Sequence, residues 1–205
     1  MRGLLGKKIG MTRIFDNNGN VVPVTVLKAG PCRVTQIKTL KHDGYDAVQV
    51  GYGKKNKKHL TKALKGHFDL SGGEPMKILG EFDKVPGFEY VLGQLFNVGL
   101  FKEGDYVRVS GVSKGRGFTG VIKRHNFSRQ KKTHGTGHTE RAPGSIGQAS
   151  DPSRVFPGMR MAGHHGNSRV TIDNLEIMKI DKEKNYLLVK GAVPGAKNGT
   201  VVITK

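Results

Sequence analysis

The sequence predicts a mainly β protein (β with minor α): a closed antiparallel β-barrel with a small inserted subdomain and a long extended basic loop. Three observations carry this. Short runs rich in Val and Ile, with alternating patterning, fill both ends of the chain between Gly- and Asn-containing turns. No helical pattern is long enough to cover a sheet face, so the sheet must bury its apolar side on itself, which favours a barrel over a sandwich. A central stretch is too poor in apolar side chains to build a core.

"KIGMTRIF" and "VVPVTVLKAG" flank the turn cluster "DNNGN" and read as a hairpin, with Asn and Gly supplying positive φ. "CRVTQIKT" reads as a third strand and "YDAVQVGYG" as a fourth, joined by "KHDG". At Lys54 the texture changes. "KKNKKHLTKALKGHF" is basic, and Leu60 and Leu64 are spaced for a short helix with Gly66 as its stop. Residues 54–96 are too many for one connection and are expected to form an insertion of undetermined structure. "DYVRVSGVS" is a strand, and "FTGVIKRHNF" is either another strand or the neck of the basic loop. From Asn167 three alternating runs return, separated by "DKEKN" and "PGAKNG". The expected organisation is a barrel body from residues 1–53, 97–124 and 167–205, the insertion 54–96, and an extended loop 125–166.

Charge narrows the function. The 205 residues carry 35 Lys and Arg against 16 Asp and Glu, a net charge of +19. That excess opposes compaction unless a polyanion neutralises it, and nucleic acid is the first candidate. A membrane surface would require an amphipathic basic helix or an apolar anchor. No apolar run has transmembrane length, and the first ten residues are too interrupted by charge for a signal peptide. Cys32 is the single cysteine. It reads as a small buried hydrophobe on a strand, and a cytoplasmic location is expected.

Half of the charge sits in a quarter of the chain. Residues 114–169 hold eleven Lys and Arg and two acids, Glu140 and Asp151, which gives 11 − 2, or +9. Ten glycines and five of the eight histidines fall there too. Such a segment cannot offset its ordering entropy by burying apolar surface, but it suits RNA: Lys and Arg meet phosphates, Gly permits close backbone approach, and Arg and His stack on bases. Folded back on itself, the loop reaches at most roughly 70 Å. RNA-facing candidates are Lys7, Lys8 and Arg13 on the body. Lys114, Arg116, Lys123 and Arg124 form the neck, and His125 begins the loop. Arg129, Lys131, Lys132, His134, Arg141, Arg154, Arg160, His164, His165 and Arg169 line the loop.

Other chemistries fit poorly. "GRGFTG" has the G-x-G-x-x-G spacing at Gly115, Gly117 and Gly120, but "FTGVIKRH" is not expected to start the helix that a dinucleotide site needs. His134 and His138 are four apart and His164 and His165 adjacent, without the Cys or H-E-x-x-H partners of a zinc site, so no metal or cofactor is expected. Ser145 has Pro143 where a nucleophile elbow needs Gly. The carboxylates offer no acid–base pair, and no catalytic residue is assigned.

"GKKIGMTRIF", "VTQIKT", "GYDAVQVGYG", "SKGRGFTGVIKRHNF", "APGSIGQ", "RVFPGMRMAGHHGN" and "LLVKGAVPGAKNG" together resemble the bacterial large-subunit ribosomal protein of the universal L-three family, in order over nearly the whole chain. The resemblance implies a barrel of translation-factor type with an inserted small domain and no catalytic activity. It implies binding to large-subunit ribosomal RNA early in assembly, contacts with ribosomal proteins of the L-fourteen and L-nineteen types, and a loop running towards the peptidyl transferase centre. Its tip would be "APGSIGQASDP", with Gly144, Ser145, Gly147, Gln148 and Ser150. Ser150 stands where some relatives carry a glutamine methylated on its side-chain nitrogen, which puts that modification in doubt here. Glu140 stands where many carry His, and is expected to pair with Arg141 or face solvent. His125 occupies a place often held by Trp.

Overall fold

The computed structural model describes residues 3–16 and 18–205. Asn17, part of the expected first turn, lies outside them. The elements are β1 (Gly3–Phe15), β2 (Val21–Ala29), β3 (Cys32–Lys38), α1 (Leu40–Asp43), β4 (Ala47–Lys54), α2 (Lys62–Asp69), β5 (Met76–Asp83), β6 (Leu95–Phe96), β7 (Tyr106–Val112), β8 (Phe118–Thr119), α3 (Val121–His125), β9 (Gly163–His164), β10 (Arg169–Asp181), β11 (Tyr186–Lys190) and β12 (Thr200–Thr204). Two compact units result: residues 1–112 with 169–205, and residues 113–168.

In the first unit six strands close a barrel in the order β1–β12–β7–β10–β11–β2, and β2 pairs back onto β1. Every pairing is antiparallel. The alternation anticipated from sequence is realised: Val22 and Val24 on β2, Val107 and Val109 on β7, Leu187 and Val189 on β11, and Val201 and Ile203 on β12 all point inward. The register shifts between Lys8 and Gly10 on β1, and twice along β10, between Ile172 and Leu175 and between Ile177 and Lys179. Such bulges bend strands that must wrap a small closed barrel.

The third and fourth predicted strands form, but not in the barrel. β3 and β4 pair with β5 and β6 in a separate four-stranded sheet, ordered β5–β4–β3–β6. Residues 32–53 therefore leave the barrel body to which they were assigned. Alternating Val and Ile fit either sheet; the partners decide, and Val48 meets Phe82 while Cys32 meets Phe96. Both sheets share one apolar core, in which Leu4, Leu5, Leu27 and Ile203 of the barrel join Val34, Val48, Val50, Tyr52, Phe82 and Phe96 of the sheet. Cys32 is fully buried there, its Sγ donating to the Leu5 carbonyl at 3.4 Å, and burial pushes its thiol pKa up to about 11.

α2 forms where the sequence suggests a helix, but it runs through Gly66 to Asp69 instead of stopping there. Thr61 caps its start, accepting from the Leu64 amide at 3.4 Å, and burial of Phe68 carries the helix past the glycine.

Candidate nucleic-acid interface

The second unit is built from its neck outward. Its two chain segments hydrogen-bond across: the Ser113 amide donates to Ser168 (2.9 Å), Arg116 to His165 (2.9 Å) and His165 to Gly117 (3.0 Å). The ribbon β8–β9 continues the pairing, Phe118 opposite His164 and Thr119 opposite Gly163. Gly166 is required at this crossing. It holds φ +72°, and a Cβ there would lie 2.1 Å from the Lys114 carbonyl oxygen.

"FTGVIKRH" resolves into both readings at once, a two-residue strand and then α3. The expectation that no helix starts after Gly120 is corrected: α3 does, with Gly120 as its N-cap. Val121 is buried at 2% exposure and nucleates the turn. The helix is only five residues long and succeeds an antiparallel ribbon, which is not the parallel β–helix–β frame of a dinucleotide site. It aims cations inward along the neck. Arg124 Nη1 donates to the Met161 carbonyl at 2.7 Å, and His125 Nε2 lies 3.1 Å from the same oxygen. Arg116 Nη1 sits 3.4 Å from His165 Nε2. The pKa of His165 is lowered, first by desolvation and then by the charges of Arg116 and Arg124, so the ring favours its neutral form.

Beyond the neck the chain has no core. From Ile122 to Ser168 no residue is buried among the described residues. What order there is comes from short polar contacts. The Gln130 amide donates to the Glu140 carbonyl at 3.3 Å, and Thr139 Oγ1 to Gln130 Oε1 at 3.3 Å. Glu140 pairs with Arg129, Nε to Oε1 3.6 Å, rather than with Arg141. At the turn, Ser145 Oγ donates to the Gly147 carbonyl at 3.0 Å, Gly144 adopts φ +82°, and the Arg154 guanidinium lies 5.4 Å from the centre of the Phe156 ring. Gln148 and Ser150 are exposed beside it.

The predicted cations separate into two classes. Lys114, Arg116, Lys123, Arg129, Lys131, Lys132, Arg141, Arg154 and Arg160 are exposed in this unit, as are His134 and His164. In the other unit Arg13 and Arg169 are exposed and Lys7 is half-buried. Lys8 is committed inside the protein: its ammonium donates to the Val193 carbonyl at 2.7 Å and to Gly195 at 3.3 Å, so it ties β1 to the turn before β12 instead of waiting for phosphate. Sequence reasoning assigned no site to the lysines of residues 54–65, although the signal, a basic run without an acid, was in plain view. Among the described residues no three His, Cys, Asp or Glu side chains converge as metal ligands, and no helix is long and apolar enough to cross a membrane.

Comparison with known proteins matches residues 89–186 to the family described as ribosomal protein L3. Over its full length the chain is similar to proteins named large ribosomal subunit protein uL3. It is 49% identical to that of Acidothermus cellulolyticus, covering 99% of this chain and 91% of the relative. It is 52% identical to that of Laribacter hongkongensis and 53% identical to that of Chromobacterium violaceum, each over 98% of this chain and 95% of the relative.

Proposed function

The chain belongs to the ribosomal protein L3 family, and from that premise we propose that it is a structural, non-enzymatic constituent of the large subunit of the cytoplasmic ribosome. It binds large-subunit ribosomal RNA early in assembly. The six-stranded barrel is of the translation-factor type, and the four-stranded sheet is its inserted subdomain. Residues 125–166 thread the RNA towards the peptidyl transferase centre, with Gly144, Ser145, Gly147, Gln148 and Ser150 at the tip. Neighbouring ribosomal proteins of the L-fourteen and L-nineteen types dock on the body.

One observation carries the reading: a segment of +9 net charge in which, from Ile122 to Ser168, no residue is buried among the described residues. Such a chain gains its order from a partner, and the partner that matches dense Lys and Arg is a folded polyanion. Contacts to phosphate and RNA shape, more than to base edges, fit this composition.

The test changes Lys131, Lys132, Arg141 and Arg154 to Ala together. Binding to a large-subunit ribosomal RNA transcript weakens, and the slope of log K against log salt flattens by roughly 3. Crosslinking from a probe at Ser145 reaches nucleotides of the peptidyl transferase centre. An unchanged slope, or a wild-type preference for duplex DNA over the transcript, refutes the assignment.

A further inference from the structure

A small cleft of about 170 Å³ opens where the end of α2 meets the four-stranded sheet. Thr35, Gln36 and Ile37 of β3, His67 and Leu70 at the end of α2, and Leu92 line it. Its polar atoms are already engaged: Thr35 Oγ1 donates to Gln49 Oε1 at 2.9 Å, and His67 Nε2 lies 2.9 Å from the same oxygen. Its backbone is held in place as well. The Gly93 amide donates to the Val34 carbonyl at 2.9 Å, and the Val34 amide donates to the Gln94 carbonyl at 2.9 Å. At the mouth of this fixed cleft Leu70 is 78% exposed and Leu92 45%. The isolated chain gains nothing by leaving two leucines in water beside a cavity with room for one more aliphatic side chain.

The face of α2 beside the cleft continues the pattern. Lys62, Gly66 and Leu70 stand four residues apart in one exposed row. Glycine is among the poorest residues inside a helix, yet a Cβ built at Gly66 meets nothing within 4 Å. Nothing inside this chain therefore requires the glycine. It leaves a gap between an ammonium and a leucine, the kind of groove into which the ridge of a crossing helix packs. Residues 54–67 carry six lysines and no acid, and Asp69 is the one carboxylate of α2. From Leu70 to Lys62 is about 12 Å along the helix at ~1.5 Å per residue.

The occupant must accordingly be apolar at the cleft and anionic about two turns away. A nucleic-acid strand supplies the second but not the first: the cleft lining holds no aromatic ring but His67, whose Nε2 is engaged, so no base stacks there. A second copy of this chain, at +19, is repelled. We propose that the cleft and the adjoining face of α2 dock a partner protein through an acidic amphipathic helix. That helix seats one leucine-like side chain between Leu70 and Leu92, packs its ridge across Gly66, and turns its carboxylates to Lys62 and the lysines before it. The contact is small and belongs to the transient class. It goes beyond the RNA-binding reading and does not depend on it.

The experiment uses the full chain and a labelled helical peptide of about twenty residues, with Leu at i, i+3, i+4 and i+7 spacing and Glu or Ala elsewhere. A control peptide has the same composition with its leucines scattered around the helix. Affinity is read by fluorescence anisotropy, and circular dichroism confirms that each variant is folded. The wild-type chain prefers the amphipathic peptide by on the order of tenfold. Leu70→Ser removes that preference. Gly66→Leu also removes it by filling the groove, while its better helix propensity keeps it melting no lower than wild type. Lys62→Glu weakens peptide binding at low salt, and the loss shrinks as salt rises. Leu70→Ser and Gly66→Leu bind a large-subunit ribosomal RNA transcript as wild type does. Equal affinity for the two peptides overturns the proposal, as does a Leu70→Ser variant that keeps the preference. If Leu70→Ser or Gly66→Leu weakens transcript binding and leaves peptide binding intact, the face serves RNA and the proposal falls.

Discussion

Leu5→Ala tests whether the barrel and the four-stranded sheet are one cooperative structure. Leu5 is 1% exposed on β1, paired with Val202 of β12. Its side chain also reaches the other sheet, since a Cβ at Gly80 of β5 would come within 3.0 Å of Leu5 Cδ2. Its carbonyl accepts from the Gly30 amide at 3.1 Å and from Cys32 Sγ at 3.4 Å, at the point where the chain passes from one sheet to the other. Removing three buried carbons costs about 2.4 kcal/mol in transfer free energy at ~0.8 kcal/mol each. A cavity that the two sheets cannot collapse adds to that, for a total of about 3–4 kcal/mol. For a unit of this size the melting temperature falls by roughly 6–16 °C. The decisive assay is native-state hydrogen exchange read separately on β4 and β11. Both lose the same increment of protection, because the shared core opens as a whole, and the denaturant m-value stays unchanged. If β11 loses protection while β4 keeps it, the sheet is an independent folding unit and the shared-core reasoning fails.

Two ionisable groups give further expected outcomes. The Cys32 thiol, raised to about 11 by burial, is about one part in a thousand thiolate at pH 8, so a disulfide reagent labels the native protein only as fast as it opens; rapid labelling refutes the burial. A folded-state pKa raised above the ordinary 9.0 contributes stability that is complete below that value and is lost as pH climbs through about 11, and Cys32→Ala removes this part of the alkaline decline. His165 behaves oppositely. Its pKa lies below 6.5, so its contribution to the neck is present above 6.5 and is lost as pH falls through the lowered value. An NMR titration places its midpoint under that of a free histidine, and Arg116→Ala moves it upward; a midpoint unmoved by the substitution excludes Arg116 as a cause.

Much of this was open to reading in the residues, and the failures share a cause. Alternation marked the long barrel strands but not β5, which lay in the insertion left without a structure, and Asn and Gly marked the turns, because both depend on a residue and its near neighbours: Asn185 and Asn198 adopt the left-handed conformation at the two C-terminal turns. The misassigned elements depended on distant partners. Nothing local to β3 and β4 says that they pair with β5 and β6. Lys8 looked like a phosphate contact until the fold brought the Val193 and Gly195 carbonyls to its ammonium, 185 and 187 positions away. Glu140 was expected to pair with its neighbour Arg141 or to face solvent, and instead meets Arg129 across a turn. α2 outran Gly66 because Phe68 had a pocket to fill, a gain that helix propensity does not contain.

Composition alone determined that residues 114–169 would be cationic and without a core, since a segment that lacks apolar side chains cannot acquire them by folding. The order of the residues, beyond composition, determined a β-rich body, because period-two patterning is a property of consecutive residues. Only the tertiary structure decided how those strands divide into a closed barrel and a second sheet over a common core, and which cations remain free to face a partner. Pairing and burial are set by groups far apart in sequence, and their energies exist only once the chain has brought them together.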